Sequence, residues 1–302
     1  MRVQDDPSLS SQSTEDASLD ERYARLLANI RDLGSVAIGF SGGADSALLL
    51  KAAIDALGER AVGVTAISPS YPERDRAEAI RIAAHIGARH VLIDSSEFED
   101  PNYVANAPSR CFFCKKELFG LLKETARAEG LAHIAYGAIT DDLGDFRPGM
   151  DAATQAGARA PLLEAGFSKR DVRAISRRLG LPTWDRPASA CLSSRIPHGT
   201  PIDKEVLKRV ELCEDFLLAR GIRDVRVRAH GDLARIECAP ESHERLVEPP
   251  LSQELAARFK ELGFRFVTLD LEGYRTGSLN PEGPVEGPVT GSRDASVPPR
   301  RG

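Results

Sequence analysis

Short unbroken apolar runs alternate, along most of the chain, with stretches whose apolar residues recur every three to four positions. Such alternation predicts strands that feed helices. "SVAIGF" (35–40) is a first buried strand running into glycines, and "DSALLLKAAIDALG" follows as a helix stopped by Gly58. "AVGVTAI" (61–67) is a second strand. The stretch 73–87 is predicted helical, with Ala77, Ile80 and Ala84 on one face and Gly87 past its end. "HVLID" (90–94) is a third strand, 115–130 a helix aligning Leu118, Leu122 and Ala126, and "AHIAYG" (132–137) a fourth strand. Strands spaced by helices of this length predict an α/β fold with a parallel sheet covered on both faces. Ligands on such sheets sit beyond the carboxyl ends of the strands.

Residues 168–182 form a well-punctuated helix: Ser168 and Asp171 suit a capping box, Gly180 a stop, and Pro182 bars a restart. After residue 200 the texture changes to a helix (204–219), two alternating strands, a helix near 252–262 and the strand "FRFVTLDL". This reads as a smaller mixed α/β domain. The predicted organisation is therefore a disordered tail over 1–19, a sheet domain over 20–199, the small domain over 200–274 and a second disordered tail over 275–302.

Composition narrows the function. With 42% hydrophobic and 28% charged residues, the chain is ordinary for a soluble globular protein. A net charge of -5 argues against a nucleic-acid-coating role. No run approaches the roughly 18 apolar residues of a membrane span. The acidic, polar N-terminus is neither a signal nor a transit peptide, which predicts a cytoplasmic protein. Thiols stay reduced there, so the five cysteines read as ligands, nucleophiles or core filler.

"GFSGGADS" (39–46) lies where a strand turns into a helix. Its glycines allow close backbone approach, and the helix start offers unpaired N–H groups to a phosphate. No Lys follows the glycines, so it is not a Walker A loop, and it is not the dinucleotide motif either. "SGGADS" resembles the phosphate loop of the ATP pyrophosphatase (PP-loop) superfamily, whose members split ATP between the α and β phosphates and pass AMP to a substrate oxygen. That resemblance implies an adenine nucleotide alpha hydrolase-like fold. Ser41, Gly42, Gly43, Asp45 and Ser46 would then hold the pyrophosphate portion of ATP, Thr65 and Ala66 of the second strand would lie against adenine, and Gly137 at the end of the fourth strand would line the nucleotide site.

The cysteines sort by pattern. Cys213 falls on the helical stripe Val206, Val210, Leu217, and Cys238 shares a strand face with Ala234 and Ile236; both read as core. Cys111 and Cys114, in "SRCFFCK", precede the predicted helix 115–130, whose dipole, with Lys115 and Lys116, would lower a thiol pKa. CxxC alone fits zinc, a redox dithiol, a cluster or no function, and the second CxxC of an all-thiolate zinc site is missing. Cys191 lies in the Ser/Pro-rich loop 184–201, near Arg186 and Arg195, where a thiol is placed for reactivity rather than packing. Three thiolates from two segments suffice for three corners of a [4Fe–4S] cluster, leaving the fourth iron for a substrate or sulfur atom.

"RCFFCKKELF", "YGAITDDLGDFRPGM", "GLPTWDRPASACLSSRIPHGTPI" and "VRVRAHGDLARIE" together resemble the LarE family over about residues 20 to 274. These are ATP-dependent sulfur transferases of nickel-pincer cofactor (lactate racemase) biosynthesis. The resemblance implies adenylylation of a carboxylate of pyridinium-3,5-biscarboxylic acid mononucleotide, followed by conversion to a thiocarboxylate. Family members with a lone cysteine at the position of Cys191 surrender its sulfur; those that also carry the equivalents of Cys111 and Cys114 are cluster enzymes. This chain has all three. The family also implies a homo-oligomer, a sulfur donor and neighbouring cofactor-building enzymes as partners.

Other positions suggest supporting roles. Asp141, Asp142 and Asp145, after the fourth strand, suit Mg²⁺ on the ATP phosphates, or are a solvated acidic loop. Arg226 and Arg228, two apart on a strand, suit a substrate phosphate, as similar arginines do in the resembled family, or are an ordinary strand face. Arg195 is a further candidate for a substrate carboxylate or phosphate, and Trp184 reads as packing rather than a stacking platform. Nothing singles out His198 or His230 as a base. Three rival functions remain: a tRNA thiolase, an amide-forming ligase like NAD synthetase, and a nucleotide-binding regulatory module without catalysis.

Overall fold

A computed structural model describes residues 7–144, 148–187, 189–275 and 279. Its first sheet has four parallel strands: β1 (Val36–Gly39), β2 (Ala61–Ile67), β3 (Arg89–Asp94) and β4 (His133–Ala135), in the order β3-β2-β1-β4. A further parallel bridge joins Ala135 to Arg159 beyond β4. Helix α1 (Pro7–Leu33) begins inside the stretch whose composition predicts a disordered tail, and it buries Leu19, Leu26, Ile30 and Leu33. Helix α2 (Ala44–Leu57) is the centre of the core: Leu48, Leu49 and Leu50 are fully buried, each worth about 1.5–3 kcal/mol of transfer free energy.

Helix α3 (Glu73–Ile86) is present but rotated from expectation. Ala77, Ile80 and Ala84 are exposed, and the buried face is Asp75, Ala79, Ile82, Ala83 and Ile86. Two contacts explain the rotation. Ala79 packs directly under Gly42, and the Asp75 carboxylate is drawn inward by hydrogen bonds.

After the short helix α4 (Pro101–Val104), helix α5 runs over Arg110–Ala128, five residues longer at its start than predicted. Cys111 and Cys114 therefore lie inside its first turns. Helices α6 (Pro148–Ala156), α7 (Pro161–Glu164) and α8 (Lys169–Arg178) complete this half, and α8 carries the expected Ser168–Asp171 capping box.

The second sheet, β5-β6-β7, is mixed: β5 (Arg226–His230) is antiparallel to β6 (Leu233–Glu237), which is parallel to β7 (Phe266–Leu269). It is covered by α9 (Lys204–Leu218), α10 (His243–Val247) and α11 (Leu251–Glu261). Cys213 and Cys238 are fully buried here, and burial pushes the Cys213 thiol up to about 12. This second core is not confined to residues after 200. Tyr103, Leu192 and Ile196 belong to it, and Phe113 and Cys114 of α5 pack against it.

Among the described residues no helix is long and apolar enough to cross a membrane.

Candidate active site

A cavity of about 540 Å³ opens beyond the carboxyl ends of β1, β2 and β4. Ser41, Gly43, Asp45 and Ser46 form one wall; Thr65, Ala66 and Gly137 flank them; Cys111, Cys114 and Cys191 line the same cavity. The three thiols and the glycine loop thus line one cavity.

The phosphate-loop wall is built locally. Gly42 has φ +67°, and a Cβ there would stand 2.9 Å from the Ala79 Cα, so only glycine fits. Ser46 Oγ accepts from the Ser41 N–H at 3.2 Å and lies 3.1 Å from both Ser41 Oγ and the Gly43 carbonyl oxygen. No side chain caps α2, which leaves its first N–H groups for an anion. Gly137 lets the chain after β4 pass close by: a Cβ there would meet the Ser46 nitrogen at 3.1 Å. Lys169 Nζ holds both carboxylate oxygens of Asp45 at 2.8 Å.

The thiol wall is assembled from two separate segments, the start of α5 and the loop that bears Cys191. Cys111 is exposed, while Cys114 and Cys191 are partly buried. Burial, and then the neighbouring Glu97 carboxylate, push the Cys114 thiol well up, opposite to the shift expected from the helix dipole and the lysines. Glu97 is itself buried and accepts from Ser68 Oγ at 2.5 Å and Ser70 Oγ at 2.6 Å. Buried Arg110 donates to Asn106 Oδ1 and the Ser193 carbonyl and lies 3.9 Å from Cys111 Sγ. Burial works against its charge, but the Cys191 and Cys111 thiols raise its pKa. Among the described residues, no three His, Cys, Asp or Glu side chains converge closely enough to hold a metal ion.

Several predicted site residues are placed elsewhere. Arg195 is buried, not open to a ligand: it pairs with Glu214 at 2.9 Å and donates to the carbonyls of Ala190 and Cys191. Arg228 is equally committed, to Glu237 at 2.6 Å and to the Ser194 carbonyl. Arg226 lies over the Tyr274 ring, and neither strand arginine is among the residues that line the cavity. Arg195 and Arg228 are each half of a buried ion pair that replaces lost water, and Arg226 is half of a partly buried stack. Asp142 lines the cavity, whereas Asp141 is exposed and accepts from the Lys169 N–H; Asp145 lies outside the described residues. Trp184 packs under Arg177, 5.0 Å from its guanidinium.

Conversely, Ser68, Ser70, Tyr71, Asp75 and Glu97 line the cavity without having been singled out. Their signal was position alone: they follow β2 and β3 at the carboxyl edge of the sheet. Among the described lining residues the cationic side chains are Lys115 and Arg186.

No family model matches the chain. The uncharacterized protein slr1717 of Synechocystis sp. is 45% identical over 262 residues, 87% of this chain and 98% of its own. Pyridinium-3,5-bisthiocarboxylic acid mononucleotide synthase of Lactiplantibacillus plantarum is 38% identical over 267 residues, 87% of this chain and 95% of its own. The tRNA-specific 2-thiouridylase MnmA of Treponema denticola is 30% identical over 191 residues, about half of each chain (51% and 52%).

Proposed function

The chain belongs to the pyridinium-3,5-bisthiocarboxylic acid mononucleotide synthase (LarE) family, and from that premise we propose that it is an ATP-dependent sulfur transferase acting on a carboxylate of a pyridinium mononucleotide. One observation carries the proposal: a loop shaped for phosphate and three thiols line a single cavity.

A carboxylate resists attack by sulfur because its leaving group would be oxide. Attack of a carboxylate oxygen on the α-phosphorus of ATP, with departure of pyrophosphate, turns the leaving group into AMP. Ser41, Gly43 and Ser46 with the α2 N–H groups would hold the phosphates, and Lys115 would offset their charge, since Arg186 is committed to Asp75 and the Gly42 carbonyl. Mg²⁺ would arrive on those phosphates, and Asp142 would meet it from the cavity wall, where the other two aspartates, Asp45 and Asp75, are paired with Lys169 and Arg186. A sulfur nucleophile on the thiol wall then forms the new C–S bond as the C–O bond to AMP breaks.

The thiols of Cys111, Cys114 and Cys191 are the right donor set for a [4Fe–4S] cluster, and all three line the nucleotide cavity. When bound, such a cluster would supply a replaceable sulfur, so the polypeptide would keep its cysteines. One observation favours a second reading, sacrifice of the Cys191 sulfur: the three side chains share a cavity without converging as a ligand group. The match to MnmA covers only about half of each chain, 51% and 52%, and thiols that share a cavity with the phosphate loop suit sulfur better than the ammonia of an amide ligase.

The test is anaerobic purification with iron and sulfide counts, then turnover with ATP and the biscarboxylate nucleotide, and the mass of the polypeptide afterwards. Thiocarboxylate formed by a protein of unchanged mass supports the cluster route. A protein that has lost the elements of hydrogen sulfide at Cys191 establishes the sacrificial route. Absence of both AMP and thiocarboxylate removes the proposed function.

A further inference from the structure

Asp75 is an acidic residue on α3, yet its side chain is turned into the protein and only 7% of the residue is exposed. Its two carboxylate oxygens serve one segment. Oδ1 accepts from Arg186 Nη2 at 2.9 Å, and Oδ2 accepts from Ser189 Oγ at 2.6 Å. Both donors belong to the loop that ends in Cys191, and Ser189 stands two residues before it.

The other side of the junction is the phosphate loop. Arg186 Nη1 donates to the carbonyl of Gly42 at 3.2 Å. Tyr71, one turn before Asp75, donates its hydroxyl to the Ser41 carbonyl at 3.0 Å and stands 3.2 Å from the Asp75 carbonyl. The Leu192 N–H, just past the thiol, donates to the Ser70 carbonyl at 2.8 Å. The loop bearing Cys191 is therefore fastened at both ends to the segment 70–75, which also braces the phosphate loop. Tyr71, Asp75, Arg186 and Ser189 all line the cavity.

We infer that Asp75 is a positioning residue: its carboxylate holds the Cys191 loop against the phosphate loop, so that the sulfur atom is presented where the activated carboxylate forms. The inference deepens the sulfur-transferase reading and rests on it. The carboxylate is suited to this because it can accept from a guanidinium and a hydroxyl at once. The first step, adenylylation, needs the phosphate loop and not the thiol loop, so losing Asp75 should separate the two steps.

The experiment uses the full-length protein in parent, Asp75→Asn and Ser189→Ala forms. ATP–pyrophosphate exchange in the presence of the biscarboxylate nucleotide reports adenylylation, and thiocarboxylate formation reports sulfur transfer. Iodoacetamide labelling of each cysteine, followed by peptide mass analysis at fixed neutral pH, reports access to the loop without any turnover. For Asp75→Asn, sulfur transfer is expected to fall about tenfold more than exchange, which corresponds to one or two lost charge-assisted hydrogen bonds. Cys191 labelling is expected to quicken several-fold while Cys111 labelling stays at the parent rate. Ser189→Ala changes no charge, so the same direction of change there, smaller in size, marks release of the loop rather than a shifted thiol. It also carries the test if Asp75→Asn does not fold. Equal loss of both steps, or labelling of Cys191 at the parent rate in the folded variants, overturns the inference. If the parent itself shows neither exchange nor product, the proposed function fails, and the labelling arm still decides whether Asp75 holds the loop.

Discussion

The two ends of the cavity are built in opposite ways. The phosphate end is one continuous stretch, Ser41 to Ser46, shaped by backbone dihedrals and stitched by its own two serines. The thiol end takes Cys111 and Cys114 from a helix and Cys191 from a loop, and depends on buried charges to bring them together. Arg195 holds the Cys191 carbonyl from one side through Glu214, and Arg110 ties α5 to the Ser193 carbonyl from the other. A local device fails when a glycine is lost; an assembled one fails when a distant charge loses its partner.

The largest effect expected from breaking that contrast is at Glu214. It is buried between Arg195 and Arg74 and accepts from the Val227 N–H. Burial alone would raise its pKa, but Arg195, Arg74 and that N–H outweigh it and hold the carboxyl below the ordinary range. Glu214→Gln strips buried Arg195 of its carboxylate partner, while Arg74 keeps Asp215, and is expected to cost about 3–5 kcal/mol, as removing one partner of a buried pair does. Calorimetry should show the melting temperature falling by roughly 10 °C. The sign with pH follows from the lowered value. The carboxylate's contribution is complete above the unfolded glutamate pKa of about 4.3 and is lost as pH falls through the lower folded value. The gap between parent and variant should therefore be full at neutral pH and narrow in acid. A gap independent of pH would contradict the ionised pair.

Gly42→Ala strikes the other end. An L-residue at φ +67° is strained, and the new Cβ would meet backbone atoms of Ala79 that no rotamer change can relieve. Nucleotide binding, measured by titration calorimetry with a non-hydrolysable ATP analogue, is expected to weaken by about tenfold to a hundredfold, or ~1–3 kcal/mol. Folding stability should change less than in Glu214→Gln, because the damage is confined to one loop.

The smallest effect sharpens the division among the cysteines themselves. Cys213 is fully buried in the second core and lies outside the cavity. Cys213→Ala is expected to cost about 1 kcal/mol through a small void, while product formation stays at the parent level. A large activity loss with intact folding would mean that the second core reaches the chemistry more directly than its packing indicates.

The contrast also marks what could be read without coordinates. Strand β2 and the glycine loop were legible because apolar runs, Gly42 and Gly43 act on their immediate neighbours. The core roles of Cys213 and Cys238 followed from periodicity alone. The pairing of Arg195 and Arg228 inside the protein is not legible in sequence, because a paired charge has the same letter as one waiting for a substrate. Asp75 and Glu97 were passed over for the same reason in reverse. Their burial is set by partners far along the chain, Ser189 and Arg186 for the first. Helix α3 was turned to the wrong face because the apolar pattern could not register an inward aspartate.

Helix α5 buries Phe119 and Leu122 on the parallel-sheet side, while Phe113 and Cys114 pack into the other core together with Tyr103. The boundary near residue 200 is therefore not a seam. A chain divided there would leave one fragment with a bare apolar cap and the other without the aromatic plug that fills it. The second half is not a cassette to be grafted onto another nucleotide-binding scaffold, and swapping it among relatives would require carrying the start of α5 along.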